Sequence, residues 1–129
     1  NPNHTLTIGK HCIKCSQLCE EQTDDFELSM AALYHDIGKR FTKQFKNAKG
    51  EDTDIAHYYQ HHLVSAYDAM FYLKNLEEES MMQIVNYIQW HMQPFFLETE
   101  KSKIKFINLV GQEFYDKLLI LHEADKMAK

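Results

Sequence analysis

The chain has 129 residues, of which 44% are hydrophobic and 26% charged, and a formal net charge of −5. That composition describes an ordinary globular domain with room for a real core. It excludes a bilayer span, since no apolar run approaches the ~18–20 residues required, and it argues against a general nucleic-acid coat while leaving room for a local basic patch.

The opening Asn1-Pro2-Asn3-His4 lacks an initiator Met and any signal-peptide pattern. It predicts a domain excised from a larger protein, or a processed product, with residues 1–129 forming a single domain. Residues up to Leu6 read as irregular. A helical pattern then runs from Thr7 to Gln22, with Thr7 as its cap and Ile8, His11, Cys12, Cys15, Leu18 and Cys19 at helical spacing. Thr23-Asp24-Asp25 breaks it, and either aspartate can cap the next helix.

That second helix is expected to reach Lys39. Leu28, Ala31, Ala32 and His35 fall at i, i+3, i+4 and i+7, so a histidine ends the inward stripe and an aspartate follows it. Gly38 offers a stop and Lys39 a cation where helix carbonyls are unpaired. Arg40 to Asp54 reads as a loop turning at Asn47-Ala48-Lys49-Gly50. A third helix is expected over Ile55 to Lys74. Asn75, with Glu78 three residues on, reads as a capping box for a fourth helix, whose stripe is Met81, Ile84, Val85, Ile88 and His91. Pro94 closes that region. A short helix over Lys101 to Val110 is broken by Gly111, and a last helix runs from Gln112 to the end with Phe114, Leu118, Leu121 and Asp125 on one face. The expectation is an all-α domain, a compact bundle of about six helices.

The three cysteines, Cys12, Cys15 and Cys19, lie on one face of one helix. That is a poor disulfide framework and a poor zinc site, so they read as core packing in a reducing, cytoplasmic setting. Eight histidines are the more unusual count. His11, His35, His91 and Asp125 each sit on an apolar stripe of a different helix. A buried carboxylate without a partner is costly, and four such misfits predict convergence on a divalent metal, for which imidazole and carboxylate are suitable ligands. In the third helix His57, His61 and His62 compete. His57 and His61 share a face, while His62, with Ala66, Ala69, Met70 and Leu73, lies on the more apolar stripe. That makes His62 the better candidate for packing, but periodicity alone does not choose the ligand.

His11, then His35-Asp36 within Leu33-Tyr34-His35-Asp36-Ile37-Gly38-Lys39, then Asp125 within Leu121-His122-Glu123-Ala124-Asp125, resemble the His…His-Asp…Asp signature of the HD-domain metal-dependent phosphohydrolase superfamily. The resemblance covers nearly the whole chain. Within that superfamily, the residues leading to His11, together with Tyr58-Tyr59-Gln60-His61 and Ile88-Gln89-Trp90-His91, look like the HD domains of bacterial tRNA nucleotidyltransferases and of phage or RNA-repair-like proteins that couple HD to a kinase domain. Gln60 stands where the subgroup usually has Gly, and His62 where an acid is common. No nucleotidyltransferase head is present. The resemblance implies an all-α fold. It implies His11, His35, Asp36 and Asp125 as ligands of a first metal, and His61 and His91 as ligands of a second, bridged by Asp36.

It further implies phosphate-ester hydrolysis by metal-activated water, with one or two divalent ions (Mn, Fe, Ni, Co, Zn or Mg) as cofactor. Asp36, Lys39 and His91 are then the expected catalytic residues. Lys39, Arg40 and Lys43 are expected to bind substrate, in a basic run that continues through Lys46 and Lys49 with Phe41 and Phe45 interleaved. The expected substrate is a nucleotide, a 2′,3′-cyclic phosphate or an RNA end, with no membrane partner. The alternative is a non-catalytic or weakly catalytic HD module that binds RNA or nucleotide for a partner enzyme. His4 either reaches a phosphate or has no role, and it is not counted among the site residues. Trp90 reads as a core-edge aromatic rather than a base stacker, and Glu77 to Glu79 as helix N-terminal electrostatics.

Overall fold

The computed structural model describes residues 6–129, and for Arg40 the backbone alone. Helix α1 (Ile8–Gln22) starts where Thr7 accepts the Lys10 N–H at 3.2 Å, and it buries the stripe His11, Cys12, Cys15 and Cys19. Helix α2 (Phe26–Tyr34) is capped by Asp25, whose carboxylate accepts the Leu28 N–H at 3.0 Å and also receives the Lys117 ammonium. Leu28, Ser29, Ala31 and Ala32 are all buried. This short, apolar helix is the centre of the domain, packing against α1 on one side and the later helices on the others.

The second helix stops at Tyr34 instead of running to Lys39. The cause is His35, whose ring Nδ1–H donates to the Ala32 carbonyl at 2.6 Å, in competition with the backbone N–H that would continue the ladder. A tight turn over residues 35–38 follows, then the one-turn helix α3 (Lys39–Thr42). Gly38 does more than end a helix. Its N–H donates to Ser65 Oγ at 2.8 Å, and a Cβ at Gly38 would lie 2.6 Å from the Ser65 backbone nitrogen, so only glycine permits this crossing.

The expected loop from Arg40 and the expected helix start at Ile55 both give way to a hairpin. Strand β1 (Lys43–Lys46) pairs antiparallel with β2 (Asp52–Tyr58) in the register Lys43↔Tyr58, Gln44↔His57 and Lys46↔Asp52, with an irregularity between Gln44 and Lys46. Asn47 and Gly50 (φ 83°) close the turn. Thr53, Ile55 and Tyr58 are residues that favour a pleated, half-covered surface, and a helical spacing of apolar residues in so short a run does not outweigh that. Helix α4 therefore begins only at His61 and ends at Tyr72.

Helix α5 (Glu78–Trp90) is preceded by Glu77, which makes no side-chain capping bond, so the expected Asn75 box is not the device used. Pro94 sits in the first turn of a 3-10 helix (Gln93–Phe96). Thr99 and Ser102 form a reciprocal capping box on α6 (Glu100–Val110). Gly111, at φ 92°, separates α6 from α7 (Gln112–Met127). The core is filled by Leu28, Ile84, Ile88, Leu118 and Leu121, with Tyr87 stacked on Phe114 at 4.7 Å. Trp90 packs edge-on against Phe106 at 5.3 Å, as a core-edge aromatic does. The architecture is all-α apart from the hairpin, and no helix among the described residues is long and apolar enough to cross a membrane.

Asp25 holds two elements at once, capping α2 and pairing with α7. Burial works against its charge, but the Lys117 ammonium and the Leu28 N–H outweigh that and hold its carboxyl below the ordinary range. Asp25→Ala is expected to cost about 1–2 kcal/mol in urea unfolding at neutral pH. A group with a depressed folded pKa stabilises above its unfolded value of about 3.9 and loses that contribution as pH falls through the lower folded value. The gap between wild type and variant is therefore expected to be full at pH 7 and to close only in acid below about pH 4.

Candidate metal centre

Asp36 lies in the turn after α2, with its side chain 3% exposed. One carboxylate oxygen, Oδ2, faces His11 Nε2 at 3.2 Å, His35 Nε2 at 3.2 Å and Lys39 Nζ at 3.3 Å. The other, Oδ1, faces His61 Nε2 at 3.0 Å and His91 Nε2 at 3.6 Å. Asp125, arriving from α7, completes the first side, its Oδ1 being 2.8 Å from His11 Nε2 and 3.0 Å from His35 Nε2. Two groups of donor atoms result, His11–His35–Asp36–Asp125 and Asp36–His61–His91, each drawn together within 4.8 Å and sharing Asp36.

The four imidazoles are oriented by one device. Each directs Nδ1 at a backbone carbonyl: His11 at Ala128, His35 at Ala32 (2.6 Å), His61 at Tyr58 (3.1 Å) and His91 at Ile88 (2.6 Å). A carbonyl only accepts, so Nδ1 carries the proton and Nε2 is left as the inward atom. This is the outer-shell arrangement that presents histidine to a metal. For His35, His61 and His91 the carbonyl lies three residues back. His35 and His91 occupy the C-caps of α2 and α5, where carbonyls are left without helical partners.

The electrostatics are those of a site short of positive charge. Burial disfavours the charged ring of His11, but its bonds to Asp125 and Asp36 prevail and lift it to about 9. Burial likewise opposes charge on His35, and Asp36 and Asp125 still raise it well above the usual histidine range. Asp36 itself is desolvated, yet His35, His11 and His61 hold it well below the usual carboxylate range; His11 and His35 do the same for Asp125. His91 goes the other way, lowered first by burial. His61 and His91 approach Nε2 to Nε2 at 3.1 Å. Both Nε2 atoms therefore gather beside Asp36 Oδ1, where a shared cation can bridge them. The donor set fits a divalent ion of the kind that nitrogen and oxygen ligands hold.

The structure also sorts the third-helix histidines. His61 is 6% exposed and opens α4 toward Asp36. His62 is only half-buried: Ala66, Ala69 and Leu73 of the expected stripe are buried, but Met70 is 38% exposed and the better-packed ring at the helix start is His61. His57 lies on β2, stacked on Tyr59 at 5.5 Å. The residue ahead of His61 explains the turn. Gln60 sits at φ 59°, ψ 23°, in the left-handed region that glycine adopts without strain, and the subgroup that this segment resembles usually has Gly there.

Lys39 is 8% exposed and lies 5.2 Å from the Tyr58 ring centroid as well as 3.3 Å from Asp36. Tyr58 thus supports the site twice, by its ring under Lys39 and its carbonyl on His61, a role the sequence pattern did not single out. Lys43 is exposed on β1, opposite Tyr58 in the ladder. His4 and the Arg40 side chain lie outside the described residues. The basic run is less basic in space than in sequence. Lys46 on β1 pairs with Asp52 on β2 at 2.8 Å, and β2 also carries Asp54. His122 was not anticipated either. It is 9% exposed, edge-on to Phe95 at 4.6 Å, with a buried Nδ1 that has no partner among the described residues.

Compared with family models, residues 8–129 match the HD domain. The chain belongs to the HD domain family. Neither the curated proteins nor the solved structures give a match. Membership rests on nearly the full length, and in this HD domain the two histidine–aspartate groups are able to coordinate one or two divalent ions.

The shared carboxylate makes a stoichiometric expectation. Protein purified without chelator is expected to carry one or two equivalents of transition metal by elemental analysis. His91→Ala is expected to leave the first group loaded, whereas Asp36→Ala empties both. Equal metal content in the two variants would contradict a bridging Asp36.

Proposed function

We propose that this HD domain is a metal-dependent phosphohydrolase, a phosphomonoesterase or phosphodiesterase, acting on a nucleotide, a 2′,3′-cyclic phosphate or an RNA end. The observation that carries the reading is the single buried carboxylate, Asp36, ringed by four imidazole Nε2 atoms and a lysine. We assign His11, His35, Asp36 and Asp125 to a first ion, and Asp36, His61 and His91 to a second. A divalent ion held there supplies a Lewis acid for a phosphoryl oxygen and a source of hydroxide near neutral pH.

The chain's own groups have separable tasks. Asp36 offers one oxygen to each side, so it fixes the spacing of whatever the two groups hold. Lys39 stands beside Asp36 with a largely desolvated ammonium, and it can shift from Oδ2 to a non-bridging phosphate oxygen as negative charge builds in the transition state. His91, nearly fully buried and held below the usual histidine range, keeps its Nε2 lone pair available, so its catalytic part would be to hold the second ion in place. Lys43, exposed on β1 opposite Tyr58, is proposed to meet the rest of the substrate, and Arg40 is proposed to do so from its sequence alone.

Within the family we place the chain nearest the HD domains of tRNA nucleotidyltransferases and phage kinase-HD proteins, on the strength of Tyr58-Tyr59-Gln60-His61 and Ile88-Gln89-Trp90-His91. We read residues 1–129 as one working domain, because His11 and Asp125 come from α1 and α7 to the same carboxylate chemistry. The three buried, free thiols support a reducing, cytoplasmic setting.

A panel of 2′,3′-cyclic nucleotides, nucleoside mono- to triphosphates and dinucleotides, each with Mn, Ni, Co and Mg, tests the activity. Turnover is expected with at least one pair. Asp36→Ala is expected to abolish it, Lys39→Ala to lower kcat about 100-fold, and the exposed Lys101→Ala to change nothing. Metal-loaded protein that binds nucleotide or RNA but hydrolyses nothing would replace the enzyme with a binding module.

A further inference from the structure

A second concavity, of about 310 Å³, opens beside the metal centre, between the start of α1, the α2–α3 segment and the middle of α4. Tyr34, Ile37 and Phe41 line it and recur at i, i+3 and i+7. His35, Asp36 and Lys39, from the same stretch, turn the other way into the metal centre. One segment thus walls both. Along α4, Asp68 and Tyr72 follow the face that begins at His61, Asp68 being roughly 10 Å further along the axis at seven residues' rise.

The lining has a definite chemistry. Tyr72 is 65% exposed although it stacks on Tyr34 at 5.8 Å and 17°, so the stack ends at a large aromatic surface open to solvent. Phe41, across the pocket, is 62% exposed. Asp68 is half-buried and makes no ion pair or hydrogen bond among the described residues, leaving an acceptor-only group at the pocket wall. Gly9 completes the case. A Cβ there would meet nothing within 4 Å, although alanine would favour the helix in which Gly9 sits. Packing among the described residues gives no reason for a glycine at that point, and Gly9 is part of the pocket's lining.

We infer that this pocket binds a nucleobase, a planar heterocycle stacked on Tyr72 with its amine and ring N–H donors on Asp68. Pockets of this size with aromatic walls and one placed polar group are the usual form of a small-molecule site. Guanine presents two donors side by side, the arrangement that matches both oxygens of a carboxylate. The inference rests on the proposed function only in taking the ligand to be a nucleotide.

Titration calorimetry with guanosine, adenosine, cytidine and uridine tests it without any phosphate to hydrolyse. Saturable binding is expected, with guanosine tightest and uridine weakest. Tyr72→Ala, a change at an exposed side chain, is expected to weaken binding about tenfold. Gly9→Leu fills the pocket and is expected to abolish binding while its thermal midpoint stays at or above wild type. Asp68→Asn is expected to erase the preference for guanosine. The absence of saturable binding by every nucleoside, or unchanged binding in Gly9→Leu, overturns the inference. Asp36→Ala should still bind nucleosides, so inactive protein that retains them would count against the hydrolase alone. If the pocket takes the base of the substrate, nucleosides will raise KM in the turnover assay. If it takes a separate nucleotide, they will change kcat instead.

Discussion

A single carboxylate, Asp36, governs the interior of this domain. It is 2% exposed, ionised, and surrounded by groups that each carry a desolvation cost of their own. No hydrophobic argument puts four imidazoles, two carboxylates and an ammonium into one core, because each unpaired charge in a low-dielectric interior is expensive. The arrangement balances only if positive charge sits among the Nε2 atoms. Protons supply it on the His11–His35 side, where both rings are raised, whereas burial drives His91 toward the neutral form. The two sides of Asp36 are thus chemically different, the first holding rings whose protonated form is favoured and the second including His91, which burial drives the other way.

The helices serve this site by where they end. Helices α2 and α5 both stop at a histidine that turns back to a carbonyl three residues earlier, so breaking the helix and aiming the ring are one event. The same geometry brings Lys39 round onto Asp36, while Gly38 lets the turn press against Ser65. Half of the donors, His11, His61 and Asp125, sit within helices, and His35, Asp36 and His91 sit in the turns directly after α2 and α5. The approach to His61 is different: there a hairpin and the left-handed Gln60 replace helix, and Tyr58 joins the strand ladder to the site.

Much of this was legible in the sequence for a definite reason. A residue that does not belong on an apolar stripe stands out only when the stripe is long, as it is before His91 and Asp125 and around His11, and these were the misfits that pointed to a shared centre. Periodicity failed where the element was short or changed type. Over 55–62 it favoured a helix and made His62 the better-packed ring, but strand pairing with 43–46 moved the helix start to His61, whose ring, with Ser65, joins Ala66 and Ala69 on the buried face. The Tyr58-Tyr59-Gln60-His61 resemblance pointed to His61 where spacing alone could not. The cationic run after Lys39 misled in another way. Sequence shows charge along one arm, and only the folded hairpin pairs Lys46 with Asp52. Close approaches such as Gly38 on Ser65 leave no periodic signature at all.

The central claim is that Asp36 is the carboxylate around which a metal centre is built. Crystals grown with manganese, with anomalous difference maps recorded at its absorption edge, address it directly. The account predicts a peak enclosed by His11, His35, Asp36 and Asp125, and, where two ions bind, a second enclosed by Asp36, His61 and His91. Maps without a peak at Asp36, its oxygens still bonded to imidazole N–H groups, would contradict it.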